Sequence, residues 1–206
     1  MCIRDRSRTG FTNELGWEIY FRPENNAEKI GDLILSEGKK MGMILTATPS
    51  FRGRRIEAGL LSAGQDFDKN TNPFSVGLGK FVDLDKKDFI GKKALSNLEK
   101  KCRTWGLRVK ESVALKGENI FSNNKVIGRV TSSTWSPFQV CGVAIIHLNN
   151  DQFGPSSVID VKCSDGKIYK GEICSLPMYD KKNEIVRGLI ENIPTKPEPW
   201  PGIQTK

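Results

Sequence analysis

Val158-Ile159-Asp160-Val161-Lys162-Cys163-Ser164-Asp165-Gly166-Lys167-Ile168-Tyr169-Lys170-Gly171-Glu172-Ile173-Cys174 decides the fold class of the second half of this chain. Apolar and polar residues alternate on either side of Ser164-Asp165-Gly166, the pattern of two half-buried strands joined by a tight turn. Working outward, Cys102–Val109, Val126–Thr131, Val140–Leu148, Val158–Cys163 and Ile168–Leu176 all read as strands. Residues 102–179 are therefore expected to form a small all-β unit, a barrel or a sandwich. Its longest apolar run, Val143–Ile146, suits a buried strand and is far short of a membrane span.

Upstream the period changes from two to about 3.6. Ala27–Glu37 puts Ala27, Ile30, Leu33 and Ile34 on one helical face, with Asn26 placed to cap it and Gly38, Lys39 and Lys40 to close it. Phe51–Leu61 reads as a second helix with Ile56, Leu60 and Leu61 inward, and a third runs from Asp88 to about Lys100. Trp17–Phe21 and Met41–Leu45 read as short strands, Gln65–Pro73 as a polar loop, and Phe74–Val82 as a glycine-punctuated stretch. The fold class is α+β: an α/β region over residues 7–101, a boundary near Lys100–Arg103, and the all-β unit over 102–179. Residues 180–206, with Pro194, Pro197, Pro199 and Pro201, are expected to be an extended arm or disordered. Met1–Arg6 is too short and too charged for a signal peptide. It reads as a non-native leader, a translated adapter scar, with native sequence from Ser7 and an N-terminal portion missing before it.

The 206 residues carry 32 Lys and Arg against 24 Asp and Glu, a formal net charge of +8. The basic groups Arg52/Arg54/Arg55 and Lys100/Lys101/Arg103 have little aromatic interleaving and sit among carboxylates, so neither a nucleic acid nor a membrane is expected as partner. The cysteines (Cys2, Cys102, Cys141, Cys163, Cys174) are odd in number and form no C-x-x-C. That argues for free thiols and a reducing, cytoplasmic setting. With His147 the sole histidine, neither a zinc site nor a histidine-based triad has its parts, and no metal is expected. Thr131–Thr134 with Ser136 is rich in hydroxyls, but no neighbouring histidine activates them.

Two places hold candidate binding chemistry. Glu18 lies between Trp17 and Ile19 with Tyr20 on its face. Pattern alone reads it as a polar residue on an exposed strand face. The sharper reading is a carboxylate accepting two parallel N–H bonds from a planar ligand edge. Arg52, Arg54 and Arg55 read either as solvated helix arginines with local charge pairs or as the anchor of an anionic ligand tail.

Several segments together resemble one family. Gly10-Phe11-Thr12 through Gly16-Trp17-Glu18-Ile19 resembles G-[YF]-T-G-E-x-G-x-E-[IL], and Arg55-Ile56-Glu57-Ala58-Gly59-Leu60 resembles R-[LI]-E-A-G-L. Gly64-Gln65-Asp66, Asn72–Gly79 and Asp88–Leu95 match the segments that follow. Gly128-Arg129-Val130-Thr131-Ser132 with Ser136-Pro137 resembles the barrel motif G-x-[VI]-T-S-G-x-x-S-P, and Leu176-Pro177 the usual ending. The family is the aminomethyltransferase (glycine-cleavage T-protein) group, whose members transfer one carbon to tetrahydrofolate. The resemblance implies tetrahydrofolate as cofactor, with Glu18 on the pterin ring, Tyr20 beside it and Phe11 packed near the folate. No catalytic residue is assigned, and in this family the N-terminal portion supplies an acidic group near the reacting carbon. The chain alone is therefore expected to turn over weakly or not at all.

Three positions depart from the pattern. Phe51 stands where aminomethyltransferases carry an arginine, Asn13 replaces the second glycine of the first motif, and Ser133 replaces the barrel motif's glycine. Arg54–Leu61 and Asn72-Pro73-Phe74 look more like the dimethylsulfoniopropionate demethylase branch. The expected reaction is methyl transfer from a small methylated donor such as that sulfonium, a displacement needing orientation and no covalent nucleophile. The alternatives are aminomethyl transfer in glycine cleavage and a folate-binding module without catalysis.

Overall fold

The computed structural model describes residues 6–190; Met1–Asp5 of the expected leader and the proline-rich stretch from 191 lie outside the described residues. The second half is a closed six-stranded antiparallel barrel, which settles the choice between barrel and sandwich. Its strands are β3 (Thr104–Val109), β4 (Asn119–Ser122), β5 (Lys125–Ser136), β6 (Cys141–Leu148), β7 (Val158–Lys162) and β8 (Ile168–Cys174), arranged β3-β6-β5-β4-β7-β8. Sequence reading missed β4, whose four residues alternate too briefly to register. The β7–β8 turn forms where expected: Gly166 takes φ +82°, and Asp165 accepts from the Lys167 N–H (3.2 Å) and the Tyr169 hydroxyl (2.6 Å).

β6 is buried on both faces. Ala144, Ile146 and Leu148 join Leu107, Val130, Ile159 and Ile173 inside the barrel. Cys141, Val143 and Ile145 face outward and are covered by Ile56 of α2 (Thr48–Glu57), with Met178 and Cys174. Closure removes the exposed sheet edges, and the single helix α2 seals the outer face of β5 and β6.

The first half differs more from expectation. β1 (Arg6–Ser7) and β2 (Glu18–Ile19) form a two-stranded antiparallel ribbon with Ser7 opposite Glu18. The expected strand Trp17–Phe21 is thus two residues long, and Trp17, Ile19 and Phe21 are all exposed, because no further strand or layer packs on the ribbon among the described residues. α1 (Ala27–Lys40) starts where read, with Asn26 Oδ1 accepting from the Lys29 N–H at 2.9 Å. It runs past Gly38 and stops where Gly42 takes φ +81°. Met41–Leu45 is not a strand, and Met41, Ile44 and Leu45 stand free in solvent.

α2 ends at Glu57, leaving Leu60 and Leu61 outside the helix. Gly59 at φ +70° turns the chain, with the Gly59 N–H on Ile56 O (3.1 Å) and the Leu60 N–H on Arg55 O (2.8 Å), the paired bonds of a Schellman cap. A Cβ on Gly59 would also meet Leu176 at 2.8 Å. The helix expected from Asp88 shrinks to α3 (Lys92–Ser96), entered through Gly91 at φ +92° rather than capped by Asp88. Residues 180–190 are not an extended arm. They form turns in which Asp180 accepts from the Glu184 and Ile185 N–H groups at 2.7 and 3.0 Å.

Candidate functional site

Glu18 and Tyr20 are brought together as their shared face requires. The Tyr20 hydroxyl donates to Glu18 Oε2 at 3.1 Å, and the Thr9 hydroxyl donates to the same oxygen. Glu18 is exposed, and its Oε1 accepts no hydrogen bond among the described residues. Phe11 lines a concavity of about 240 Å³ with Thr48, Phe51, Arg52, Arg55, Ser62 and Gln65, to which Glu18 and Tyr20 do not contribute.

The three arginines separate, which corrects the solvated reading for Arg54 and Arg55 but not for Arg52. Arg55 is buried and forms an ion pair with Asp66 Oδ2 at 2.6 Å. It also donates to Ser132 Oγ (2.8 Å) and Leu60 O (3.1 Å). Asp66, read from sequence as part of a polar loop, is buried and takes the Thr131 and Ser132 hydroxyls on Oδ1, each at 2.6 Å, and the Ser62 N–H on Oδ2 at 2.8 Å. The β5–β6 register slips between Val130 and Ser132, so Thr131 is the extra residue of a bulge. Regular alternation would send consecutive side chains to opposite faces; the bulge lets both hydroxyls reach one carboxylate. Two hydroxyls of the hydroxyl-rich stretch, those of Thr131 and Ser132, thus anchor the helix through Asp66 and Arg55.

Arg54 forms a second junction. Its guanidinium pairs with Glu14 and Glu57 and lies 3.8 Å from the Phe138 ring centroid and 4.9 Å from that of Tyr179. The Tyr179 hydroxyl is within reach of Thr12 O (3.2 Å) and Glu14 Oε1 (3.1 Å), and burial pushes its pKa up to about 12. The segment 9–14 is thereby tied to α2 and to the barrel's end. Asn13 within it takes φ +56°, a left-handed geometry asparagine tolerates, which accounts for the replacement of a glycine there. Arg52 alone of the three remains exposed, at the rim of the Phe11 concavity.

Glu57 is fully buried beside Arg54. Burial raises its pKa, opposed by the nearby Ser136 hydroxyl and then by the Arg54 charge. Ser136 acts from beside the carboxyl without a normal hydrogen bond to Oε1, which has no partner. A carboxyl whose folded pKa lies above its ordinary 4.5 contributes stability in full below that value and loses it as pH rises through the folded pKa. The melting temperature of the wild type relative to Glu57→Gln is therefore expected to fall as pH rises from about 4.5 to 8. Melts across that range that keep a constant difference would refute the assignment.

His147, near the end of β6, shares a hydrogen bond with Thr104 at 2.9 Å, and burial lowers its pKa. Cys102, Cys141, Cys163 and Cys174 are free thiols, and burial pushes Cys163 and Cys174 up to about 11. Among the described residues no three His, Cys, Asp or Glu side chains group to hold a metal, and no helix is long and apolar enough to cross a membrane.

Residues 5–86 match the GCVT N-terminal domain, and residues 103–180 match the glycine cleavage T-protein C-terminal barrel domain. The chain belongs to the glycine cleavage T-protein family. Among its relatives, the aminomethyltransferase of Halothermothrix orenii is 33% identical over 175 residues, covering 83% of this chain and 48% of the relative. That of Bacillus subtilis (strain 168) is 32% identical over 182 residues, covering 85% and 49%. The crystal structure of the glycine cleavage system aminomethyltransferase T from Bartonella henselae matches with a TM-score of 0.75 at 25% identity, over 85% of this chain and 50% of that one. The chain spans about half the length of the curated relatives it matches.

Proposed function

We propose that this chain carries the pterin-holding part of a tetrahydrofolate-dependent one-carbon transferase, and that the carbon transferred is the aminomethyl carbon of glycine cleavage. The likeness to aminomethyltransferases across 83% of the chain carries this reading. The residues fit such a group. Glu18 offers an open acceptor, Oε1, for a ring N–H or exocyclic amine, and its other oxygen is already held. Phe11 and Phe51 supply apolar walls and Arg52 a cation beside them, suited to an aromatic body with an anionic tail. When bound, tetrahydrofolate supplies the acceptor for the carbon; the chain's own residues hold it, orient it and exclude water.

A second reading keeps a methylated sulfonium such as dimethylsulfoniopropionate as donor. Phe51 favours it, because this side chain, 47% exposed, puts an apolar ring in the concavity at the position where the resemblance leads one to expect an arginine. The oxidation level of the product separates the two: a methylene-level folate from an aminomethyl donor, a methyl-level folate from a sulfonium. Because the chain spans about half of its relatives, turnover by it alone is expected to be weak or absent.

Binding is the direct test. Tetrahydrofolate is titrated calorimetrically into the wild type and Glu18→Ala, after melts show both folded. Loss of a hydrogen bond to a charged group should weaken binding by roughly ten- to a hundredfold. Equal affinity for both chains would remove Glu18 from the site.

A further inference from the structure

We infer that Thr9 and Tyr20 are positioning residues that fix the Glu18 carboxylate with Oε2 filled and Oε1 presented, so that Glu18 reads a ligand edge through one oxygen rather than two. The inference rests on the reading of Glu18 as the pterin carboxylate. A carboxylate oxygen has two acceptor directions. Both at Oε2 are taken, by a hydroxyl nine residues before Glu18 and by one two residues after it. The paired N–H acceptance that a free carboxylate offers is therefore closed at this side chain, and a single charge-assisted bond at Oε1 remains.

The three side chains are exposed, so solvent-screened bonds among them do little for the fold. What they do is narrow an exposed glutamate's rotamers, which otherwise must be ordered when a ligand binds. Thr9 is well held for that purpose. It follows β1, whose Ser7 is paired with Glu18, and precedes the segment that Arg54 pins through Glu14 and Tyr179 pins through Thr12 O. The segment that follows Thr9 is thus tied to α2 and to the end of the barrel at Thr12 and Glu14.

Calorimetric titration of tetrahydrofolate into the 206-residue chain and its variants tests this. Thr9→Val keeps the shape and removes the hydroxyl; it is expected to raise Kd about tenfold with an unchanged melting midpoint, and Thr9→Ser to bring it back to within about threefold of wild type. In a Glu18→Ala background, Thr9→Val is expected to add nothing, since it acts through the missing carboxylate. Wild-type affinity in Thr9→Val beside a weakened Glu18→Ala would overturn the inference and leave the pterin reading standing. A loss from Thr9→Val that persists without Glu18 would overturn it too, by making Thr9 a direct contact. Glu18→Ala that binds as wild type, or no binding by any chain, would overturn the pterin reading and this inference with it.

Discussion

Asp66→Ala is expected to destabilise the protein by about 3–5 kcal/mol, a large part of what a domain has. Asp66 accepts the Arg55 guanidinium, the Ser62 N–H and the Thr131 and Ser132 hydroxyls, which fills both carboxylate oxygens. Its removal leaves a buried guanidinium without its counter-charge and the buried Ser132 hydroxyl without its acceptor, while Thr131 keeps Ile145 O at 3.0 Å. The ring is closed, because Ser132 also accepts from Arg55 at 2.8 Å. Arg55→Lys should fail as a substitute, since an ammonium lacks the fork that reaches Asp66, Ser132 and Leu60 O together. Replacing the pair with apolar residues, Arg55→Met with Asp66→Leu, should recover most of the loss, because no charge is then left unpaired. Urea unfolding followed by circular dichroism reads all three, and a loss below about 1 kcal/mol for Asp66→Ala would mean the ring is not what holds α2 to the barrel.

Ile146→Ala and Ile145→Ala are each expected to cost about 2–5 kcal/mol, by lost transfer energy and a cavity. Both side chains are fully buried, and they point opposite ways. Ile146 stands between Trp105 of β3 and Val130 of β5 in register and fills the barrel interior. Ile145 faces the seam under Ile56 of α2. The totals should therefore be similar and the distribution different. Hydrogen exchange should speed up in α2 selectively in Ile145→Ala, and throughout the barrel strands in Ile146→Ala. The reverse pattern would mean that β6 is assigned to the wrong faces.

The sequence by itself determined most of the barrel. Four of its six strands could be read from alternation, a fifth, the buried β6, from the unbroken Val143–Ile146, and the β7–β8 turn from Ser164-Asp165-Gly166. These signals are local: strand period, turn chemistry and apolar runs act between residues close in the chain. The Asn26 cap and the shared face of Glu18 and Tyr20 were legible for the same reason.

Tertiary structure alone decided what the arginines do. In their own segments Arg55 reads as a solvated arginine or a ligand anchor, Asp66 as part of a polar loop and Ser132 as one of a hydroxyl-rich run, and 77 positions separate Arg55 from the Ser132 hydroxyl it bonds. Their convergence needs the barrel closed, α2 laid across β5 and β6, and a bulge at Thr131 that no composition signal announces. The same holds for Arg54: Glu57 lies one helical turn away, but Glu14, Phe138 and Tyr179 come from distant parts of the chain. Burial turns a solvated charge into a structural one. Burial belongs to the packed layers, so periodicity within any one segment could not reveal it.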